Sequence, residues 1–140
     1  MAYLDTSLLV AYYCPEPLSD LAQRTIGRVN SPTISALVEV ELCSAVAVKV
    51  RTGEMDKAAG TQIISLFEQH VSDAFYRVAP IAAAEYVLAR KWLAQFAPPL
   101  RALDALHLAA ASTNGLSLLT ADKALARAAK DVRVKCRLIA

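Results

Sequence analysis

The 140-residue chain is long enough for one hydrophobic core and too short for two. Hydrophobic residues make up 56% of the sequence, which excludes intrinsic disorder, and no apolar run approaches the ~18 residues that a membrane span needs. The net charge of +2 is too small to identify a nucleic-acid binder by itself. Because the N-terminus also lacks the basic region of a signal peptide, we expect a single soluble, cytoplasmic domain over residues 1–140.

Short apolar segments alternate with helical patterns along the N-terminal half. In chain order, the sequence predicts a strand at 2–4, a helix after Asp5, a helix at about 18–28, a strand at 33–35, a long helix at 36–51 and a more polar helix at about 55–72. The helix at 36–51 is apolar all round, so we expect it to be buried on more than one side.

The C-terminal half continues the same alternation. It predicts a strand at 76–79, helices at 81–96 and 100–113, a strand at 117–119, a helix at 122–130 and a strand at 132–136. Asn114 and Gly115 are typical residues for the end of the second of these helices. Strands that alternate with helices predict an α/β fold with a parallel sheet covered on both faces. Ligands of such sheets bind beyond the carboxyl ends of the strands.

Four acidic residues stand at unusual positions. Asp5 directly follows a predicted strand and Asp122 follows Leu118-Leu-Thr-Ala at the end of another, whereas Glu41 and Asp104 interrupt apolar helices. Each has an ordinary explanation, because Asp caps helices and a helical acid can pair with a base or lie partly exposed. Together, however, two strand ends and two flanking helices can bring all four carboxylates to one crevice.

Such a crevice would need a cation. Two carboxylates ~6 Å apart repel by about 3 kcal/mol at an effective dielectric near 20. An all-oxygen site without cysteine or histidine ligands favours Mg²⁺ or Mn²⁺ over Zn²⁺. Ions held in this way are typical of enzymes that hydrolyse phosphodiesters.

Four motifs in a fixed order make a family resemblance specific. They are Tyr3-Leu-Asp-Thr-Ser, Ile34-Ser-Ala-Leu followed by Glu41-Leu42, Leu103-Asp-Ala-Leu-His-Leu-Ala, and Leu119-Thr-Ala-Asp-Lys. In their order, spacing and total length, the chain resembles PIN-domain ribonucleases of the toxin kind called VapC. The resemblance implies a three-layer fold with a central parallel sheet of about five strands and helices on both faces.

The resemblance also implies a function and its residues. Asp5, Glu41, Asp104 and Asp122 fall on the acidic positions of the family, which implies Mg²⁺- or Mn²⁺-dependent cleavage of RNA. Thr6 and Thr120 match hydroxyl positions that support the site by hydrogen bonds. As the toxin of a toxin–antitoxin pair, the protein would form a homodimer and bind a cognate antitoxin, whose basic side chain would reach the acidic crevice.

Two residues near the acids are secondary candidates. Glu39 lies ~200° from Glu41 on a helix, so only one of the two can face the site. We choose Glu41 because it precedes the leucine of the family pattern, and we expect Glu39 to face solvent or an interface. His107 lies one turn beyond Asp104, where we expect a hydrogen-bonded structural residue rather than a general base.

The remaining polar and aromatic features have ordinary explanations. We expect His70 at the surface, Tyr12 and Tyr13 in packing, and three buried free thiols at the cysteines. A basic cluster crowds the C-terminal end and is either a solvated face or an edge that contacts phosphates. Its members are Lys123, Arg127, Lys130, Arg133, Lys135 and Arg137.

Other functional classes fit less well. A phosphohydrolase with an aspartyl nucleophile at Asp5 would usually carry a second acid two residues later, where this chain has Ser7. A signalling receiver domain needs clustered acids before its second strand, and these are absent. Isolated glycines exclude P-loop and dinucleotide-binding motifs. A non-catalytic RNA-binding module remains open, since a sequence can show ligands but not turnover.

Overall fold

Five parallel strands form one sheet in the computed structural model, which describes all residues from 1 to 140. The strands are β1 (Ala2–Leu4), β2 (Pro32–Ser35), β3 (Arg77–Ala79), β4 (Ser117–Thr120) and β5 (Cys136–Leu138). Their spatial order is β3-β2-β1-β4-β5. The central strand β1 is fully buried, as expected for a parallel sheet covered by helices.

Seven helices connect and cover the strands. They are α1 (Thr6–Tyr13), α2 (Ser19–Gly27), α3 (Ala36–Arg51), α4 (Lys57–Ser72), α5 (Ala83–Leu93), α6 (Ala102–Thr113) and α7 (Lys123–Asp131). The predicted α/β fold class, with its parallel sheet of five strands, is confirmed. None of the helices combines the length and the apolar character needed to cross a membrane.

The chain changes direction across the sheet at β1. It runs outward from β1 to β2 and β3, and then returns to the other side of β1 with β4 and β5. Leu4 pairs with Leu119, and the amide of Asp5 donates to the carbonyl of Leu119 at 3.2 Å. The carboxyl ends of β1 and β4 therefore lie side by side at a topological switch point, the usual ligand position in such sheets.

Helix α3 buries only one face, which differs from the sequence expectation. Val38, Leu42 and Val46 are buried at a four-residue spacing, whereas the side chains of Val40 and Val48 are 68% and 43% exposed. The prediction of burial on more than one side is wrong within this chain. One sheet and its neighbouring helices fully bury only this stripe of α3, and the other apolar residues of the helix are partly or fully exposed.

The last strand begins four residues later than predicted. Alternation of apolar and basic residues predicted a strand at 132–136, but Val132 caps α7 and Arg133 has a φ of 62°. Pairing of Leu118 with Cys136 then sets the start of β5. The strand prediction was wrong because α7 must first turn back before its chain can join β4.

Two smaller expectations also need correction. Only Cys14 is a buried thiol, whereas Cys43 and Cys136 are partly exposed. His70 is half-buried rather than at the surface, and the Tyr13 hydroxyl forms a 2.6 Å hydrogen bond with its Nδ1. The packing expected for Tyr13 is confirmed, because its side chain is buried against Phe67.

Candidate active site

Asp5 is the most enclosed acid of the chain. It directly follows β1, its side chain caps α1, and only 4% of its surface is exposed. Oδ1 accepts hydrogen bonds from the Ser7 hydroxyl at 2.8 Å and from the Leu8 amide at 3.2 Å, while Oδ2 accepts from Thr120 at 2.7 Å. Burial raises the pKa of the carboxyl above its ordinary value, and these hydrogen bonds oppose that rise.

Thr120 links Asp5 to Asp122. Its Oγ1 donates to Asp5 and accepts from the backbone amide of Asp122 at 3.0 Å. Ser7 adds a second link, because its hydroxyl lies 3.2 Å from Thr120 Oγ1 and accepts from the Ala121 amide at 3.0 Å. The acids after β1 and β4 are thus held at one edge of the sheet by a shared hydroxyl.

Asp122 is also the N-cap of α7. Its Oδ1 accepts from the amides of Ala124 at 2.8 Å and Leu125 at 3.1 Å. The ordinary explanation as a helix cap therefore holds for both Asp5 and Asp122. It does not conflict with a role in the site, because Oδ2 of Asp122 accepts no hydrogen bond within the chain.

Glu41 faces the same region from α3. Its Oε1 accepts from Thr6 Oγ1 at 2.6 Å and from Nε2 of His107. Burial raises the pKa of this carboxyl, but the hydrogen bonds from His107 and Thr6 and the nearby charge of Arg101 outweigh it. The pKa of Glu41 is therefore lowered, and the side chain is an anion at neutral pH.

His107 connects Glu41 to the centre of the sheet. An ionised carboxylate only accepts, so Nε2 of His107 carries the proton that is shared with Glu41. Its Nδ1 lies 2.7 Å from the hydroxyl of Tyr3, which in turn lies 2.7 Å from Oγ of Ser35. Tyr3, Ser35 and His107 are all buried, which keeps the ring of His107 in one orientation. The expected hydrogen-bonded structural role of His107 agrees with this geometry.

Asp104 lies in the first turn of α6 and is held less firmly. Its Oδ2 is 3.4 Å from Nε of Arg101, whose side chain is 85% exposed. A pair this exposed contributes little to stability. No hydrogen bond joins Asp104 to the other three acids, although Arg101 acts electrostatically on Glu41 as well.

Glu39 lies away from this cluster. It is partly exposed and makes no hydrogen bond within the chain. Burial raises the pKa of the thiol of Cys43, one turn from Glu39 on the same face of α3, and the charges of Glu68 and Glu39 add to that rise. The expectation that Glu39 faces solvent or an interface is consistent with this position.

The oxygen donors of the four acids fit a hard divalent cation in their chemistry, but the acids are not grouped closely around one point. Glu41, Asp104 and Asp122 each keep one carboxylate oxygen that accepts no hydrogen bond within the chain. Oxygen donors of this kind suit Mg²⁺ and Mn²⁺. However, no three acidic, histidine or cysteine side chains are grouped closely enough to hold a metal ion in this arrangement.

Sequence reasoning missed several supporting residues. The pattern around Ser7 does not predict the hydrogen bond that its hydroxyl donates to Asp5. Tyr3 and Ser35 belong to two of the motifs, but no local pattern reveals their hydrogen bonds, which join residues 32 apart for Tyr3 and Ser35 and 104 apart for Tyr3 and His107. Arg101 could have been found as the base three residues before Asp104, a spacing that brings side chains together on a helix.

Comparison with known proteins places this geometry in a family. Residues 2–131 match the sequence profile described as PIN domain. No curated protein is significantly similar to this chain in sequence.

Several solved structures share the fold. FitAcB from Neisseria gonorrhoeae aligns with a TM-score of 0.70 and 19% identity over 97% of this chain and 96% of its own. VapC20 from Mycobacterium tuberculosis, described as a toxin that cleaves the sarcin–ricin loop, has a TM-score of 0.70 and 17% identity over 91% and 95%. A toxin–antitoxin complex from Klebsiella pneumoniae has a TM-score of 0.65 and 16% identity over 87% of both chains.

The profile match spans nearly the whole chain and includes all four acids, and the strand order that brings Asp5 beside Thr120 is part of the same fold. The chain belongs to the PIN-domain family.

Proposed function

We propose that this protein is a Mg²⁺- or Mn²⁺-dependent endoribonuclease and the toxin of a VapC-type toxin–antitoxin pair. The observation that carries the proposal is the position of Asp5, buried at the switch point and linked through Thr120 to Asp122, in a chain of the PIN-domain family. The description of the structurally similar VapC20 as a cleaving toxin supports the same activity.

Each acid would have a distinct local task. Asp5 and Glu41 are preorganised by hydroxyl and imidazole donors, so their carboxylates need little reordering when a ligand binds. Asp104 and Asp122 would complete the donor set with their free oxygens. A divalent cation held by these acids would supply water activation and stabilisation of the charge that develops on the phosphate.

The phosphohydrolase alternative receives less support. Ser7, which stands where such enzymes usually carry a second acid, donates to Asp5 instead.

The experiment is an RNA cleavage assay on purified protein freed of any partner. We expect cleavage of single-stranded RNA with Mg²⁺ or Mn²⁺ and none in excess EDTA. The variant Asp5→Asn should fold, because asparagine also caps helices and has the same volume, but its cleavage should fall by orders of magnitude.

A matched control exists at another helix cap. Asp56 is the N-cap of α4 and accepts from the Ala59 amide at 2.8 Å, far along the chain from the acids. Asp56→Asn makes the same chemical change and should retain cleavage. Cleavage that persists in EDTA would overturn the metal mechanism, and a metal-binding protein that never cleaves would instead favour the RNA-binding module.

Two apolar grooves support the proposed protein partners. One, of about 420 Å³, lies between the end of α1, the end of α3 and helix α4, and its lining includes Lys49 and Glu54 beside apolar residues. A second of about 270 Å³ lies between α3, α5 and α6 and is lined only by apolar residues, which include Val40 and Tyr86. Val40 and Tyr86 are 68% and 58% exposed, and exposed apolar surface of this kind marks interaction sites. We propose a homodimer through the second groove and a cognate antitoxin as the other partner.

The antitoxin can be tested without knowing its structure. A small reading frame directly upstream that encodes a DNA-binding protein would support the pairing. Co-expression of that protein should give a stable complex with reduced cleavage, since a basic side chain at the acids relieves their mutual repulsion. A neighbouring product that neither binds nor inhibits would contradict it.

A further inference from the structure

The positive charge of the chain is concentrated at its C-terminal end. Residues 123–140 contain six lysines and arginines and only one acid, Asp131, while the whole chain has a net charge of +2. Residues 1–122 are therefore net negative by three charges. All six cations are exposed, and none forms a salt bridge.

Three of these cations form one stripe on α7. Lys123, Arg127 and Lys130 follow each other at spacings of four and three residues, which places them within about 60° of one another around the helix. The other face of α7 is buried through Leu125, Ala128 and Ala129. Between Lys123 and Lys130, the only residues besides Arg127 that are not buried are Ala124 and Ala126. No bulky side chain therefore separates a ligand from the stripe.

The stripe begins at the acids. Lys123 directly follows Asp122, which caps α7 at the carboxyl edge of the sheet, and Lys130 lies about 10 Å further along the helix. A polyanion that reached the acidic crevice would therefore meet a row of unpaired cations leading away from it. This arrangement is ordered, since α7 packs on β4 and β5 through its buried face.

Protection of a sheet edge does not explain the stripe. Exposed cations on an edge strand prevent pairing with another chain, and this reason suffices for Lys135 and Arg137 around β5. Helix α7 has no free strand edge to protect. Internal charge pairing does not explain it either, because Asp131 at the end of α7 forms no salt bridge with any of the three cations.

We infer that Lys123, Arg127 and Lys130 bind the sugar–phosphate backbone of the RNA substrate and lead it to the acidic crevice. This inference rests on the proposed nuclease function and adds the surface that holds the strand. The contacts are with phosphates, so they raise affinity for any single strand and do not select its sequence. Base recognition must come from other residues.

The test measures binding without turnover. A fluorescently labelled single-stranded RNA oligonucleotide is titrated with the Asp5→Asn protein in EDTA between 50 and 200 mM salt. The triple variant Lys123→Gln/Arg127→Gln/Lys130→Gln is compared with a control triple variant at exposed cations elsewhere, Arg24→Gln/Lys57→Gln/Arg77→Gln. Glutamine keeps a good helix propensity on α7, and circular dichroism verifies folding of both variants.

Each phosphate contact contributes about 0.7 to the slope of log affinity against log salt for single strands. We expect the α7 variant to lose about 2 from this slope, with weaker binding at 50 mM salt, and the control to stay within 0.7 of the parent. Equal losses in both variants would overturn the inference alone. If the Asp5→Asn parent itself does not bind RNA, both the inference and the proposed function are overturned.

A second titration with poly-glutamate separates RNA from an acidic protein segment. If the α7 variant loses poly-glutamate binding but keeps the RNA slope, the stripe is a protein-binding surface and the inference is wrong. Loss of the RNA slope, whatever the result with poly-glutamate, supports it.

Discussion

His107 and Glu41 stand 66 residues apart in the chain, yet His107 Nε2 donates a hydrogen bond to Glu41 Oε1. The other ring nitrogen is held by Tyr3, a side chain with no exposed surface. A buried chain of hydrogen bonds thus runs from Ser35 through Tyr3 and His107 to an acid of the candidate site. It restricts the movement of the Glu41 side chain and holds its Oε1, while Oε2 accepts no hydrogen bond within the chain.

The two neighbouring glutamates of α3 should differ in activity. Glu41→Gln removes a charge but almost no volume, so folding should survive while Mn²⁺ affinity and RNA cleavage both drop. Glu39→Gln should leave cleavage within a few-fold of the parent, because Glu39 lies away from the other acids. Measurements at both low and saturating Mn²⁺ are needed, since excess metal can mask a lost ligand.

The opposite result for the two glutamate variants would contradict the choice of Glu41. Loss of cleavage in Glu39→Gln with normal cleavage in Glu41→Gln would show that the wrong glutamate is assigned to the site. If neither variant changes cleavage, the acidic cluster is not the active site.

The hydroxyl of Tyr3 should matter for stability. Tyr3→Phe keeps the ring but leaves Ser35 Oγ and His107 Nδ1 without their shared partner in a buried place. An unsatisfied buried polar group costs about 1–3 kcal/mol, so the free energy of unfolding in urea should fall by that amount. Tyr12→Phe is the matched control, because the Tyr12 hydroxyl makes no hydrogen bond within the chain. A Tyr3→Phe protein as stable as the control would contradict the hydrogen-bond chain.

Glu85 should make the free energy of unfolding depend on pH in the acidic range. It caps α5 by accepting from the Ala82 amide at 2.7 Å, and this hydrogen bond lowers the pKa of its carboxyl below the ordinary 4.5. A lowered pKa in the folded state stabilises the fold above pH 4.5, and this contribution is lost as the pH falls through the lowered pKa.

The corresponding measurement is urea unfolding at pH 7 and pH 3 for two variants. Glu85→Ala should lose roughly 1 kcal/mol at pH 7, as expected for a lost helix cap, and less at pH 3. Glu85→Gln keeps an acceptor for the Ala82 amide and should remove part of the pH dependence. An Ala variant whose loss is equal at both pH values would exclude the assigned charge effect.

The exposed apolar face of α3 should control the oligomeric state. We expect the parent to scatter light as a dimer near 30 kDa, twice the 15.0 kDa of the chain. Val40→Asp places a charge in the groove between α3, α5 and α6 and should yield monomers at micromolar concentration. Leu66→Asp changes a comparably exposed apolar residue on α4 and should leave the dimer intact. A monomeric parent would contradict the homodimer.

Local patterns in the sequence were enough for most of the fold. Period-2 and period-3.6 patterns, helix caps and glycines predict the order of all twelve elements and, at α3, both ends. They fail at β5, where alternating residues resemble a strand but the chain is still turning after α7. They fail also at the outer face of α3, because a pattern shows that residues are apolar and not what covers them.

The sequence by itself determined the acidic and hydroxyl residues at the ends of β1 and β4, since an apolar strand that ends at Asp or Thr is a local feature. Only the tertiary structure decided their partners. The order β3-β2-β1-β4-β5 brings Thr120 within 2.7 Å of Asp5, and packing of α3 against α1 and of α6 against β1 brings Thr6 and His107 to Glu41. These contacts join residues far apart in the chain, and their geometry follows from the burial of a shared core that no local pattern specifies.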